Sequence, residues 1–167
     1  TFGFPGWNHV DHRNVGVALL DAARDAGNRW LFTDLIDQGL EPWNGVRNYQ
    51  VRNMMRDQMA VGDLGFFYHS SCDVPGIAGV VKIVKEAYPD HTQFDPSSEY
   101  FDAGSKREEP RWLMVDVKWE ADFKTFVTLD ILRADPKLAD MLILRRGNRL
   151  SITQVEAKHW ERICKLG

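Results

Sequence analysis

The chain has 167 residues, 44% of them apolar and 27% charged, with a formal net charge of −3. This suits one domain with an appended terminal segment, and it is enough apolar material for a core. The acidic balance excludes a broad basic surface that clamps long nucleic acid through phosphates alone, though not a local site.

Thr1–Asn14 is rich in Gly, Pro, His and Asn and reads as irregular. Val15–Ala26 carries Leu19, Leu20, Ala22, Ala23 and Ala26, which predicts an amphipathic helix stopped by Gly27-Asn28. A short strand is expected at Arg29–Phe32, then a brief helix at Asp34–Gln38 capped by Thr33. Glu41–Asn48 is turn-rich, with Asn44-Gly45 as its strongest turn signal. Val51, Met54, Met55 and Met59 give Tyr49–Met59 a helical spacing. Leu64–His69 and the Val/Ile-rich Ile77–Lys85 read as strands. Gly76 and Gly79 at the start of the second mark a close approach of another backbone or a ligand.

Glu86–Pro110 holds three of the seven prolines and reads as a long surface loop, a kind that often carries function. Trp112–Trp119 alternates, with Leu113, Val115, Val117 and Trp119 on one face. Thr128 and Asp135-Pro136 look like caps of two short helices. Leu142–Leu144 and Leu150–Ile152 are expected as strands around a turn at Gly147-Asn148. A final helix, Glu156–Leu166, should bury Trp160, Ile163 and Cys164. Short strands interrupted by helices without a βαβ rhythm indicate an α+β fold with a mixed or antiparallel, curled or barrel-like sheet.

Several chemistries lack their residues. No apolar run reaches the ~18–20 residues of a membrane span, and Thr1–Val10 lacks the features of a secretory signal. Cys72 and Cys164 have no metal-ligand spacing and read as reduced thiols, consistent with a cytoplasmic location, or a nuclear one in a eukaryote. There is no P-loop, GxGxxG, HExxH or CxxC. His9 and His12 have no third ligand nearby, so no metal or other cofactor is expected. His69-Ser70-Ser71 lacks a nucleophile elbow, and adjacent strand residues point to opposite faces. The chain reads as a non-enzyme.

One stretch does concentrate recognition chemistry: Trp43-Asn44-Gly45-Val46-Arg47-Asn48-Tyr49-Gln50, Arg52-Asn53 and Phe66-Phe67-Tyr68-His69-Ser70. Trp and Tyr offer π-faces to a planar base, Asn, Gln, Ser and His offer donors and acceptors to its edge, and Arg can reach a phosphate. The plainer reading makes Trp43 and Tyr49 core plugs, Asn48 an N-cap and Arg47 a salt-bridge partner. Residue types alone leave both open.

The run from Trp43 to Ser70 resembles the W-x-G-V-R-N-Y-Q-A-R-N … GD-x-x-FFYHS signature of EVE-domain proteins. The resemblance continues through Pro75–Asp95, Pro110–Trp119, Leu144–Val155 and the closing helix with Trp160. It implies a PUA-like curled β-barrel of mixed strands flanked by short helices, related to YTH and ASCH domains, over residues 29–167. It also implies a non-catalytic module that holds a modified nucleobase, with modified cytosine in DNA favoured. The site residues carried over are Trp43, Arg47, Asn48, Tyr49, Asn53, Tyr68, His69 and Ser70, with Trp112 and Asp116 as weaker candidates. Arg149 and Ser151 are expected to be structural.

The start of the chain departs from the family. Members open with a strand and loop resembling YWL-x-KSEP, whereas Trp30-Leu31-Phe32 runs directly into Thr33-Asp34-Leu35, and residues 1–28 match nothing in the signature. The missing loop would supply part of a pocket wall. Two other functions therefore stand beside the reader: a general RNA-binding PUA-like module, and an interaction protein whose pocket has decayed. The expected partners are nucleic acid carrying a modified base and an effector protein, with no membrane.

Overall fold

The computed structural model describes residues 17–21, 39–70 and 72–167. The irregular Thr1–Asn14 with His9 and His12, the strand at Arg29–Phe32 and the helix at Asp34–Gln38 fall outside them. The strands are β1 (Val17–Asp21), β2 (Leu40–Trp43), β3 (Leu64–His69), β4 (Gly76–Pro89), β5 (Leu113–Thr128) and β6 (Ile152–Val155). The helices are α1 (Tyr49–Gln58), α2 (Leu129–Ala134) and α3 (Ala157–Cys164), with 3₁₀ turns at His91–Phe94, Pro136–Leu138 and Leu142–Leu144. The architecture is α+β. No helix among the described residues is long and apolar enough to cross a membrane.

One mixed sheet runs in the order β2-β5-β4-β3-β1-β6. Neighbours are antiparallel except β1, which lies parallel to β3 and antiparallel to β6. The expected barrel is not closed: β2 and β6 are the two ends, and no pairing joins them among the described residues. Register shifts along β4 and β5, between Ile77 and Gly79 and again near Lys85, insert extra residues of the kind that bend and twist a strand. At Gly79 a Cβ would run into the Ala121 carbonyl and come within 2.6 Å of the Trp119 ring. Gly76 is met as closely, by the Val127 carbonyl, so both glycines expected to mark a close approach permit close crossings of these two strands.

Three expectations are corrected. The helix placed over Val15–Ala26 is contradicted by β1, which takes up its centre. The pairing of Val17–Asp21 with β3 and β6 supplies a ladder that local helix preference cannot match. Leu142–Leu144 is a 3₁₀ turn, not a strand, and only Ile152 of the strand expected at Leu150–Ile152 enters β6. The loop expected from Glu86 begins as the end of β4, which continues to Pro89.

The sheet is covered on both faces. On one, Val51 and Met55 of α1 join Trp43, Phe67, Val81, Val115, Val117 and Ile152. On the other, Leu132 of α2 and Trp160 and Ile163 of α3 join Phe66, Tyr68, Val80 and Val127. Phe66 stacks on Trp160 with ring centroids 4.0 Å apart. Successive β3 residues thus feed opposite cores, as strand geometry requires.

Candidate functional site

α1 begins where Asn48, in an extended conformation, accepts hydrogen bonds at Oδ1 from the Gln50 N–H (2.9 Å) and the Val51 N–H (3.2 Å). This satisfies two of the donors that a helix start leaves bare. Asn48 is therefore an N-cap, and its amide oxygen is not turned to a ligand. Val51 and Met55, one turn apart and fully buried, fasten the helix to the sheet. That leaves Gln50, Asn53 and Met54 along its side.

Arg47 is not the free phosphate hand that its residue type allows. Its Nε and Nη2 donate to the Tyr100 carbonyl, Nη2 also to Thr92 Oγ1 (3.0 Å), and Nη1 to the Val46 carbonyl (3.1 Å) and Asp90 Oδ2 (2.8 Å). A guanidinium has five N–H donors, and these bonds use all of them. Asp90, completely buried, also accepts from the Gly45 N–H (2.9 Å) and from the Thr92 N–H and hydroxyl. Burial pushes the Asp90 carboxyl up, but the bonds from Arg47, Thr92 and Gly45 together outweigh it and hold it below the usual range. Gly45 has φ +77°, and a Cβ there would lie 2.8 Å from the Tyr100 ring. The Asn44-Gly45 turn is thus locked to the long loop after β4.

The same loop sets two aromatic rings. Trp112, nearly buried, donates its indole N–H to Asp102 Oδ2 (2.7 Å). Tyr49, half exposed, lies against it with centroids 4.9 Å apart, and the Arg52 guanidinium carbon is 4.9 Å from the Tyr49 centroid. Arg47, Tyr49 and Trp112 are therefore brought together, with Arg47 5.5 Å from the Trp112 ring.

Beside them, between α1 and β6, lies a cavity of about 550 Å³. Gln50, Asn53 and Met54 line it from the helix, and Leu150, Thr153 and Gln154 from the strand side. Its size is that of small-ligand pockets, with amides and the Asp57 carboxylate set among apolar walls. Asn53 accepts at Oδ1 from Arg52 Nε (3.0 Å) and Nη2 (2.6 Å), which leaves the amide NH₂ as its other end.

The remaining site residues are not gathered here. Trp43, read as an open stacking face, is 2% exposed and packs edge-on against Phe67 at 6.0 Å, so both ring faces lie inside the core. Its indole N–H is buried without a partner among the described residues. Tyr68 belongs to the opposite core from Trp43, because consecutive β3 residues alternate. His69 and Ser70 lie at the end of that strand, partly exposed. Asp116 is held by the Tyr88 hydroxyl at 2.5 Å. Asp140, Glu156 and His159 approach within metal-ligand reach of one another. There the Lys158 ammonium already pairs with both carboxylates, 2.6 Å from Asp140 and 3.3 Å from Glu156.

The EVE domain profile matches residues 24–166. The chain belongs to the EVE-domain family. It is 47% identical over 132 residues to thymocyte nuclear protein 1 of Danio rerio, across 74% of this chain and 56% of that protein. It is 43% identical to the Homo sapiens protein of that name, across 74% and 58%. The chain thus spans little more than half the length of these relatives. Among solved structures, a Pseudomonas syringae protein superposes with TM-score 0.82 and 42% identity, covering 90% of this chain and 98% of that one. Human THYN1 in complex with DNA containing 5-methylcytosine superposes with TM-score 0.80 and 38% identity, covering 89% and 95%.

Within this EVE domain, sequence reasoning missed Asp90, Thr92 and Tyr100, which hold Arg47, and Gln154 and Thr153, which face α1 across the cavity. Asp90 and Tyr100, which accept from Arg47, lie 43 and 53 positions away, beyond any local pattern. The alternation of Ile152–Val155 was the one available signal for the cavity's far wall.

Proposed function

We propose that this EVE domain is a reader of modified cytosine in DNA, holding the base in the cavity between α1 and β6 without turning it over. The observation that carries this reading is the cavity itself, amide-lined and base-sized, on a chain so similar to a protein solved with 5-methylcytosine DNA. In this reading the Asn53 NH₂ donates to the acceptors on the Watson–Crick edge of cytosine, while Gln50 and Gln154 supply an acceptor for its exocyclic amine. Met54 and Leu150 receive the added methyl group. Burying one methyl is worth about 0.8 kcal/mol, or about fourfold in affinity. Tyr49 opens the helix that lines the cavity, Trp112 backs it, and the Arg47–Asp90 clamp lies against the Trp112 ring. Asn48 acts by starting the helix that carries Asn53, and His69 and Ser70 take no direct part. The nuclear names of the relatives fit a nuclear location in a eukaryotic cell.

Titration of matched duplexes, one carrying 5-methylcytosine and one plain cytosine, tests the reading by fluorescence anisotropy. The methylated duplex should bind at least fourfold more tightly, and Asn53→Ala should weaken it about tenfold, because an unpaired edge is penalised strongly. Equal affinity for the two duplexes would sink the reading. Tighter binding to single-stranded RNA than to either would favour a general RNA-binding module.

A further inference from the structure

We propose that Arg52 is the phosphate-contacting residue of this site, gripping the backbone of the nucleotide whose base enters the cavity. The inference rests on the reader function and adds a contact that the cavity alone does not provide. It follows from comparing the two arginines that flank Tyr49. Arg47 has every donor engaged by protein acceptors. Arg52 makes three bonds: Nε and Nη2 to Asn53 Oδ1, and Nη1 to the Arg111 carbonyl at 3.2 Å. Two N–H groups, one on each terminal nitrogen, remain uncommitted among the described residues.

That pair suits two oxygens of one phosphate, the bidentate geometry in which arginine outperforms lysine. The guanidinium is also held in place. Asn53 anchors one side, the Arg111 carbonyl another, and the Tyr49 ring supports its plane. A pre-organised cation loses little freedom on binding. Its position completes the case, because its anchor Asn53 lines the cavity. One residue therefore joins base edge and phosphate. No carboxylate lies within ion-pair distance of Arg52 among the described residues, in contrast with Arg47, Arg56 and Arg111. Asp57 feels the Arg52 charge only through space and is itself bonded to Arg56, so the two open N–H groups of Arg52 can take an external anion.

The test compares wild type, Arg52→Gln and Arg52→Lys, each checked for an unchanged melting profile. The probes are the 5-methylcytosine duplex, the plain duplex and the free nucleoside 5-methyl-2′-deoxycytidine, which has no phosphate. Arg52→Gln should weaken both duplexes about tenfold and lower the salt slope by about one. Nucleoside binding should fall by less than duplex binding and keep its salt dependence, because Asn53 loses its Arg52 anchor but no phosphate contact is lost. Arg52→Lys should restore the salt slope but only part of the affinity. Unchanged duplex binding by Arg52→Gln, or an equal loss for nucleoside and duplex, would overturn the proposal. Equal wild-type affinity for the two duplexes with an Arg52-dependent slope would uphold the phosphate contact and sink the modified-base reading. Wild type binding neither duplex would overturn both.

Discussion

Truncating Asp90 to alanine should cost about 3 kcal/mol. The carboxylate is fully buried and accepts from the Gly45 N–H, Arg47 Nη1, and the Thr92 N–H and hydroxyl, so one substitution removes four bonds. Removing one partner of a buried ion pair costs about 3–5 kcal/mol. The lower end applies because the Arg47 side chain is 22% exposed and keeps its bonds to Val46, Thr92 and Tyr100. Against a total stability of about 5–15 kcal/mol this is a large loss. With a urea m-value of about 2 kcal/mol/M, the midpoint should fall by about 1.5 M at unchanged slope.

The pH dependence gives a second readout. The folded carboxyl is held below its usual range, so its contribution is complete above the unfolded value of about 3.9 and is lost as pH falls through the folded value. The stability gap between wild type and Asp90→Asn should therefore stay constant from pH 7 to 5 and narrow below about pH 4. A gap that persists unchanged through the acid range, or an Asp90→Ala midpoint within experimental error of wild type, would refute the clamp.

Trp43→Ala should destabilise the fold by about 3–5 kcal/mol in urea titration, as expected for a large aromatic removed from a packed core. A loss below 1 kcal/mol would show that the indole is dispensable to the core. Burial, helped by Glu161, pushes the Cys164 thiol up to about 12. Native protein at pH 8 should therefore resist iodoacetamide at this position, with mass spectrometry finding the adduct only after unfolding; labelling at the rate of an ordinary thiol would contradict this.

Much of this architecture was legible in residue order, and for local reasons. Asn48 before a run with Val51 and Met55 one turn apart marks the start of α1. The aromatic run of Leu64–His69 and the Val/Ile run after Gly76 mark β3 and β4. Where partners are distant, local pattern fails. Ala and Leu in Val17–Asp21 read as helix because a short apolar run does not reveal its own period, and the ladders on both sides decide it. Pro42 disguised β2 as a turn, although a proline is tolerated where one side of the strand is unpaired. The second half of β5 was passed over because the register shifts interrupt its alternation. In the candidate site Tyr49 and Trp112 are both candidates by residue type, but nothing in residue order pairs them. The division of labour between the two arginines was not legible either, because it depends on which acceptors the loop after β4 delivers.

The tapering of the sheet also bears on how the protein behaves in a crowded solution. Its inner strands β4 and β5 are 14 and 16 residues long, whereas β2 and β6 at its ends have four each. Pro42 removes one donor from β2, and the outer side of β5 meets other backbone: the Trp119 N–H donates to the Gly39 carbonyl and the Thr125 N–H to the Gly167 carbonyl. A second chain seeking to extend the sheet would find little continuous, unpaired backbone at these places. The fold can therefore keep a strand-rich, strongly apolar centre without offering a ready template for strand-by-strand aggregation.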